Sequence, residues 1–226
     1  MYFIENNLTR LKNNNHTFFL DPNEVMKVIS KLKKEEYQFF YPYKDSEKAI
    51  IYKKRKPDVI LYEIKIGIEV RHQDILGSLF SLNITPGFFG DIVIIDDHYY
   101  VYILESIRNY FEANFVMIKN SHIELIQHDL SLLESFERRY ESIELIVSSS
   151  RIDTVISSIC HISRKSIDSM IRKKEIILNY DFLKNSSYKL KTNDVFSIKR
   201  VGKFKYSGII KSTKSNHVII QVLKYL

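Results

Sequence analysis

Ser148-Ser149-Ser150-Arg151-Ile152-Asp153-Thr154-Val155-Ile156-Ser157-Ser158-Ile159-Cys160-His161-Ile162-Ser163-Arg164-Lys165-Ser166-Ile167-Asp168-Ser169-Met170-Ile171-Arg172-Lys173-Lys174 is the stretch on which the reading of this chain turns. Three serines mark a break in both pattern and charge. Ser150 is placed to cap a helix that begins at Arg151, and Ile152, Val155, Ile156 and Ile159 then fall on one apolar stripe. Ser163 is placed to cap a second helix, with Ile167, Met170 and Ile171 on its apolar side. Its other side carries Arg164, Asp168 and Arg172 at four-residue steps, which set them in one row, with Lys165, Lys173 and Lys174 beside it. Downstream, Ile176 to Leu178 reads as a short strand turning at Asn179-Tyr180-Asp181. Val195 to Lys199 reads as another, followed by Arg200, Lys203 and Lys205.

Charge divides at the same place. Residues 151–226 hold 16 Lys or Arg against 5 Asp or Glu, a balance of +11, whereas residues 1–150 hold 18 against 22, a balance of −4. A basic segment on a mildly acidic body points to a polyanion partner; the bland alternative is a solubilising surface. Phosphates require several fixed cations, and arginine binds them bidentately. A capped helix N-terminus adds backbone N–H donors and a favourable dipole. Ser163, Arg164 and Lys165 bring these together, and Asp168 is positioned to orient Arg164 and Arg172 in advance. For one helix in isolation, a solvated face with an i,i+4 pair would be the simpler reading.

Working outward, Asp21-Pro22 opens a helix with Val25, Val28, Ile29 and Leu32 at helical spacing. Tyr37 to Tyr43, Ala49 to Tyr52 and Val59 to Ile66 are short β-rich runs. Arg71 to Leu82 returns to helical period and stops at Pro86-Gly87. Asp91 to Ile95 and Tyr99 to Leu104 form a hairpin about Asp96-Asp97-His98. A helix over Glu105 to Ala113, strands near Phe115 to Ile118 and Glu124 to Gln127, a short helix over Leu130 to Phe136 and a strand at Ile143 to Val147 complete the body. This mixture predicts an α+β class.

Several functional classes are disfavoured. No run of 18 apolar residues is present, so no membrane span is expected, and the polar, Asn-rich start lacks the core of a secretory signal. The single cysteine, Cys160, rules out an internal disulfide framework and fits a reducing compartment. With 6 glycines and no GxGxxG or GxxxxGK, no nucleotide cradle is expected. His72 and Asp74 suggest acid–base work, but residues two apart on a helix do not face each other. Cys160-His161 lacks the further ligands of a metal site and reads as an ordinary loop. Tyr99, Tyr100 and Tyr102 suggest base stacking, yet in an alternating strand at least one face belongs to the core.

The order of residues adds a resemblance. From Arg151 to Lys199 the chain resembles the S4-type RNA-binding domain. The family's Arg-Leu-Asp-x-x-Leu is matched by Arg151-Ile152-Asp153-Thr154-Val155-Ile156, its Ser-Arg by Ser163-Arg164, its apolar pair with basic residues by Met170-Ile171-Arg172-Lys173, its Val-Asn-Gly-like turn by Leu178-Asn179-Tyr180 and its Gly-Asp-x-Ile-like strand start by Asn193-Asp194-Val195-Phe196. Glu175, Tyr180 and Asn193 stand where that family commonly has glycine. Upstream, Phe19-Leu20-Asp21-Pro22, His72-Gln73-Asp74-Ile75-Leu76-Gly77-Ser78-Leu79, Gly90-Asp91-Ile92-Val93 and Gly202-Lys203-Phe204-Lys205-Tyr206 resemble the YlmH-type proteins, with Gln73 where those have arginine.

That resemblance implies a small α/β unit over residues 1–67, an RRM-like RNA-binding α/β domain over 68–148, and an S4-type domain with a β extension over 149–226. It implies a non-catalytic factor that docks on ribosomal RNA, and on tRNA, of the large ribosomal subunit in rescue of stalled ribosomes, working as a cytoplasmic monomer in a bacterium or in an organelle. The RNA-binding residues expected are Arg151, Ser163, Arg164, Lys165, Asp168, Arg172, Lys173, Lys174, Asn179, Lys199, Arg200 and Lys203, with no catalytic residue, cofactor, metal or membrane contact. The alternatives are an S4-domain RNA-modifying enzyme of pseudouridine-synthase type, in which Asp153 would be the catalytic candidate, and an interaction protein at the division site.

Overall fold

Asp21 closes the turn that its place before Pro22 predicts. In the computed structural model, which describes residues 2–33, 37–213 and 217–226, its carboxylate accepts from the Glu24 backbone N–H at 2.8 Å while Glu24 Oε2 accepts from the Asp21 N–H at 2.9 Å. This reciprocal box starts α2 (Pro22–Ile29). Ahead of it lies α1 (Tyr2–Asn13), which the polar start does not announce. It is anchored by buried Leu11 and by buried Asn7, whose Oδ1 accepts from the Phe18 N–H at 3.1 Å. Two compact units follow from the chain's contacts, Met1–Glu137 and Arg138–Leu226.

In the first unit, β1 (Gln38–Phe40) and β2 (Ile50–Tyr52) pair antiparallel over α1 and α2, with Leu11, Leu20, Val25, Val28, Ala49 and Ile51 as their core. A five-stranded sheet has the order β4-β5-β3-β7-β6, built from β3 (Val59–Ile66), β4 (Phe89–Ile95), β5 (His98–Leu104), β6 (Met117–Ile118) and β7 (Ser121–His128). Asp96 and Asp97, at φ 44 and 66, make the tight β4–β5 turn. The helix expected over Glu105 to Ala113 is a 3-10 turn, Glu105–Ile107, running into α4 (Arg108–Asn114); the one expected over Leu130 to Phe136 is only the 3-10 turn Leu130–Leu133. α3 (His72–Ser81) buries Ile75 and Leu79, and α4 buries Phe111, in the core on one face of the sheet. Phe19, Phe40, Tyr43, Ile50 and Leu133 cover the other face over Leu61, Tyr100 and Tyr102. Tyr99, Tyr100 and Tyr102 are all buried, so the tyrosine strand is core on both faces.

The second unit is a six-stranded antiparallel sheet, order β10-β9-β11-β12-β13-β8, with β8 (Tyr140–Val147), β9 (Ile176–Leu178), β10 (Asp181–Phe182), β11 (Val195–Ile198), β12 (Gly202–Ser212) and β13 (Val218–Tyr225). α5 (Ile152–Cys160) and α6 (Arg164–Arg172) pack on it through Ile152, Val155, Ile156 and Ile167. The serine run lies inside this unit, between β8 and α5, because β8 is paired along β13 from Tyr140 to Val147. The cap expected of Ser150 is a correction: Arg151 is the N-cap, held extended at φ −66 and ψ 137 by its bridge to Lys189, so the helix begins one residue later. No helix among the described residues is long and apolar enough to cross a membrane.

Candidate nucleic-acid interface

Ser163 does cap α6, its Oγ accepting from the Ser166 N–H at 3.2 Å. The helix ends in a Schellman motif: the Lys174 N–H donates to Ile171 O and the Glu175 N–H to Met170 O, both at 3.0 Å. That geometry puts Lys174, not Glu175, in the left-handed conformation, at φ 56. The helix is thus capped at both ends. Arg164, Lys165, Asp168, Arg172, Lys173 and Lys174 are all exposed along it. Asp168 makes no ion pair with Arg164 or Arg172 among the described residues. Arg164 instead reaches back to α5, Nη2 to Thr154 Oγ1, at 3.4 Å.

The flanking residues are positioned more firmly. Arg151 lies bidentate on Asp153, Nη2 to Oδ2 at 2.6 Å and Nε to Oδ1 at 3.1 Å. Burial alone would raise the Asp153 carboxyl, but the hydrogen bonds from Arg151 and the Thr154 N–H outweigh it and hold it below its ordinary value. Asn179 uses both ends of its amide inside the unit: Nδ2 donates to Asp194 Oδ1 at 2.8 Å, and Oδ1 accepts from the Val195 N–H at 2.9 Å. With Tyr180 it forms the turn at φ 47 and 65, so a tyrosine occupies a left-handed position that glycine fills at no steric expense. Asn193, at φ 73, fills its position more readily. Lys199 stands 3.9 Å from Glu175, which offsets part of its charge. Lys203 Nζ is held 5.0 Å from the Tyr180 ring and 4.8 Å from the Tyr225 ring, and Arg200 is exposed in the turn before β12. The bridge to Arg151 also brings exposed Lys189 to this region, a contact of long sequence separation that no local pattern reveals.

The first unit holds a polar cluster that sequence reading missed. Glu63, on β3, is buried with Lys65 Nζ at 2.6 Å, His98 Nδ1 at 2.7 Å and His128 Nε2 at 2.8 Å. Burial would raise the carboxyl, but those three hydrogen bonds together hold it at about 2. An ionised carboxylate only accepts, so each imidazole carries its proton on the nitrogen facing Glu63. The strand register Glu63↔Tyr100 and Glu63↔Ile126 sets these strands side by side. A buried Glu in the middle of a β run was the available signal. Among the described residues no group of His, Cys, Asp and Glu is arranged to hold a metal ion. Asp74 is engaged by Arg71 at 3.2 Å and Lys119 at 3.0 Å. His161 is the left-handed cap of α5, at φ 54, next to half-buried Cys160.

Residues 58–132, from the residue before β3 into the 3-10 turn after β7, match the family model described as "Putative RNA-binding domain in YlmH". Over these residues the chain is similar to that RNA-binding domain. In it, β3 is the central strand, and the Gly90-Asp91 segment lies within β4. A curated relative, the ribosome-associated protein quality control protein P2 of Bacillus subtilis (strain 168), is 24% identical over 149 residues, covering 66% of this chain and 58% of the relative. The chain thus spans less than two thirds of the length of that relative. Among solved structures, the cell division protein ylmH from Streptococcus pneumoniae is 16% identical with a TM-score of 0.46, covering 58% of this chain and 90% of that one.

Proposed function

We propose that this YlmH-type chain is a non-catalytic RNA-binding factor that docks on ribosomal RNA of the large subunit, with tRNA as a second contact, and serves in quality control of stalled ribosomes. In this reading residues 149–226 act as the S4-type domain and the sheet of residues 68–148 as an RRM-like companion. The observation that carries it is the exposed cationic row of α6, capped at both ends and presented in a chain that is also similar to the YlmH RNA-binding domain. Arg164, Lys165, Arg172, Lys173 and Lys174 meet phosphates, with Arg151, Ser163, Asn179, Lys199, Arg200 and Lys203 around them and Asp168 within the row. The name of the Bacillus relative supports the ribosomal setting. Against an enzyme of pseudouridine-synthase type, both oxygens of Asp153 are occupied by Arg151 and Thr154 and its side chain is buried beneath them.

The test is co-sedimentation with large subunits on sucrose gradients. Charge reversal at Arg164 and Arg172 should release the protein while its unfolding midpoint stays put; unchanged co-sedimentation would refute the α6 face. If about six phosphates are neutralised, affinity for structured RNA should fall with salt at a log–log slope of about −5.

A further inference from the structure

The acidic balance of residues 1–150 conceals a local cationic loop. Between β2 and β3 the chain reads Lys53-Lys54-Arg55-Lys56-Pro57-Asp58, four consecutive cations against one acid. Its backbone is fixed by a single residue, Asn15, which sits in the left-handed region at φ 68. The Lys53 N–H donates to Asn15 O at 3.0 Å, the Lys54 N–H to Asn15 Oδ1 at 2.7 Å, and Asn15 Nδ2 to Arg55 O at 2.8 Å. With these three peptide groups held by Asn15, the loop presents Lys54, Arg55 and Lys56 to solvent. Arg55 pairs with Asp58 only at the surface, and Lys56 Nζ lies 4.7 Å from the Phe40 ring. Arg10 and Lys12, in the last turn of α1, precede Asn15 and add to the positive charge.

Beside this loop runs an unusual strand. In β1 Phe40 is in the core, Phe39 is exposed, Tyr41 just past the strand is exposed, and Tyr37 just before it is half-buried against the core of α1 and α2. The ring centroids of Tyr37 and Phe39 are 5.5 Å apart and those of Phe39 and Tyr41 6.2 Å, while Phe39 is 40% and Tyr41 50% exposed. The register Gln38↔Tyr52 brings the start of β1 level with the start of the cationic loop. Two neighbouring rings, Phe39 and Tyr41, left in water next to a cationic loop are a combination that a purely structural edge strand does not need.

The two features together suit one chemistry. Unpaired bases stack on aromatic side chains regardless of sequence, and their phosphates need cations alongside. A duplex hides its base faces and would use only the cations. We propose that Phe39 and Tyr41 with the 53–56 loop form a second RNA contact, specific for single-stranded segments. It rests on the reading of the chain as an RNA binder but uses neither α6 nor the residues matched by the YlmH-type domain, the final acid of the loop aside.

The experiment is fluorescence anisotropy on the full chain with two probes, a short labelled oligouridine and a stable RNA hairpin. One variant is Lys53→Ala/Lys54→Ala/Lys56→Ala. The other is Phe39→Leu/Tyr41→Leu, which keeps apolar bulk and removes stacking. Each should weaken oligouridine binding by about tenfold and leave hairpin binding within about twofold, with unchanged circular dichroism. Charge reversal at Arg164 and Arg172 should do the converse. Native affinity for oligouridine in both variants overturns the proposal, as does loss of binding to anionic vesicles or polyglutamate without loss of binding to oligouridine. If the unaltered chain binds the hairpin but not oligouridine, this contact alone falls; if it binds neither, the RNA-binding reading falls with it.

Discussion

Arg151 and Asp153 are locked face to face, Nη2 2.6 Å from Oδ2 and Nε 3.1 Å from Oδ1, at the point where the chain enters α5. The carboxylate is buried and the guanidinium half-buried, so the pair orients Arg151 and anchors the helix start at once. Asp153→Asn leaves the arginine without its counter-charge, and Arg151→Ala leaves a buried carboxylate unpaired; each should cost about 3 kcal/mol in urea unfolding. The Asp153 carboxyl is held below its ordinary value of 3.8, so its contribution is complete at neutral pH and fades as pH falls from about 4 downward. The stability gap between the native chain and Asp153→Asn should shrink over that range. A gap that does not change with pH would count against the ion pair as its source.

Asn179 works as a latch between β9 and β11. Its amide satisfies Asp194 and the Val195 N–H while its backbone holds φ 47. Asn179→Ala removes both bonds and places alanine in a left-handed position, so about 2 kcal/mol of stability should be lost. Thermal unfolding checks this, and a midpoint within about one degree of the native one would exclude the latch.

Glu63 gathers Lys65, His98 and His128 on strands β3, β5 and β7. Glu63→Gln should lower stability at neutral pH by about 2 kcal/mol. Because the native carboxyl sits at about 2 against an ordinary 4.5, this advantage should be intact above pH 4.5 and disappear as pH falls toward 2. The same substitution removes the carboxylate on which His98 Nδ1 and His128 Nε2 converge, so the hydrogen-bonded ring N–H signals of both should be perturbed together in NMR spectra; unchanged signals for both would mean that the carboxylate does not join them.

Gly90 is a packing requirement. A Cβ there would lie 2.9 Å from Tyr102 Cβ and 3.1 Å from Phe19 Cε1, against a strand and an ordered aromatic ring. Gly90→Ala should destabilise the first unit by about 2 kcal/mol, read from the urea midpoint, whereas Gly77→Ala, with nothing within 4 Å, should change it little. Equal midpoints for the two would refute the close approach.

Much of the fold was legible because its signals are local. The β-rich run over Val59 to Ile66 becomes β3, the Asp21-Pro22 cap opens α2, and the stripe Ile152, Val155, Ile156 becomes the buried side of α5. The misses share a cause. Ser150 and Arg151 compete for one cap, and a backbone bridge to Lys189, distant in sequence, decides between them. α1 mixes its apolar residues with asparagines and charges, and its place depends on Asn7 meeting Phe18.

By itself, the sequence determined the elements with strong local patterns, such as α2, α3, β3 and α6, the charge division near residue 150 and the cationic row of α6, since helix and strand periods and side-chain charge are properties of neighbouring residues. Only the tertiary structure decided which polar groups are committed. Asn179 and Arg151 are tied into the second unit, Asp168 stands clear of its row neighbours, and Glu63 collects two histidines from strands far apart in the chain. The reason is physical: a hydrogen bond between distant residues is set by strand register and by the burial that makes an unpaired polar group costly, and neither is visible until the chain is folded.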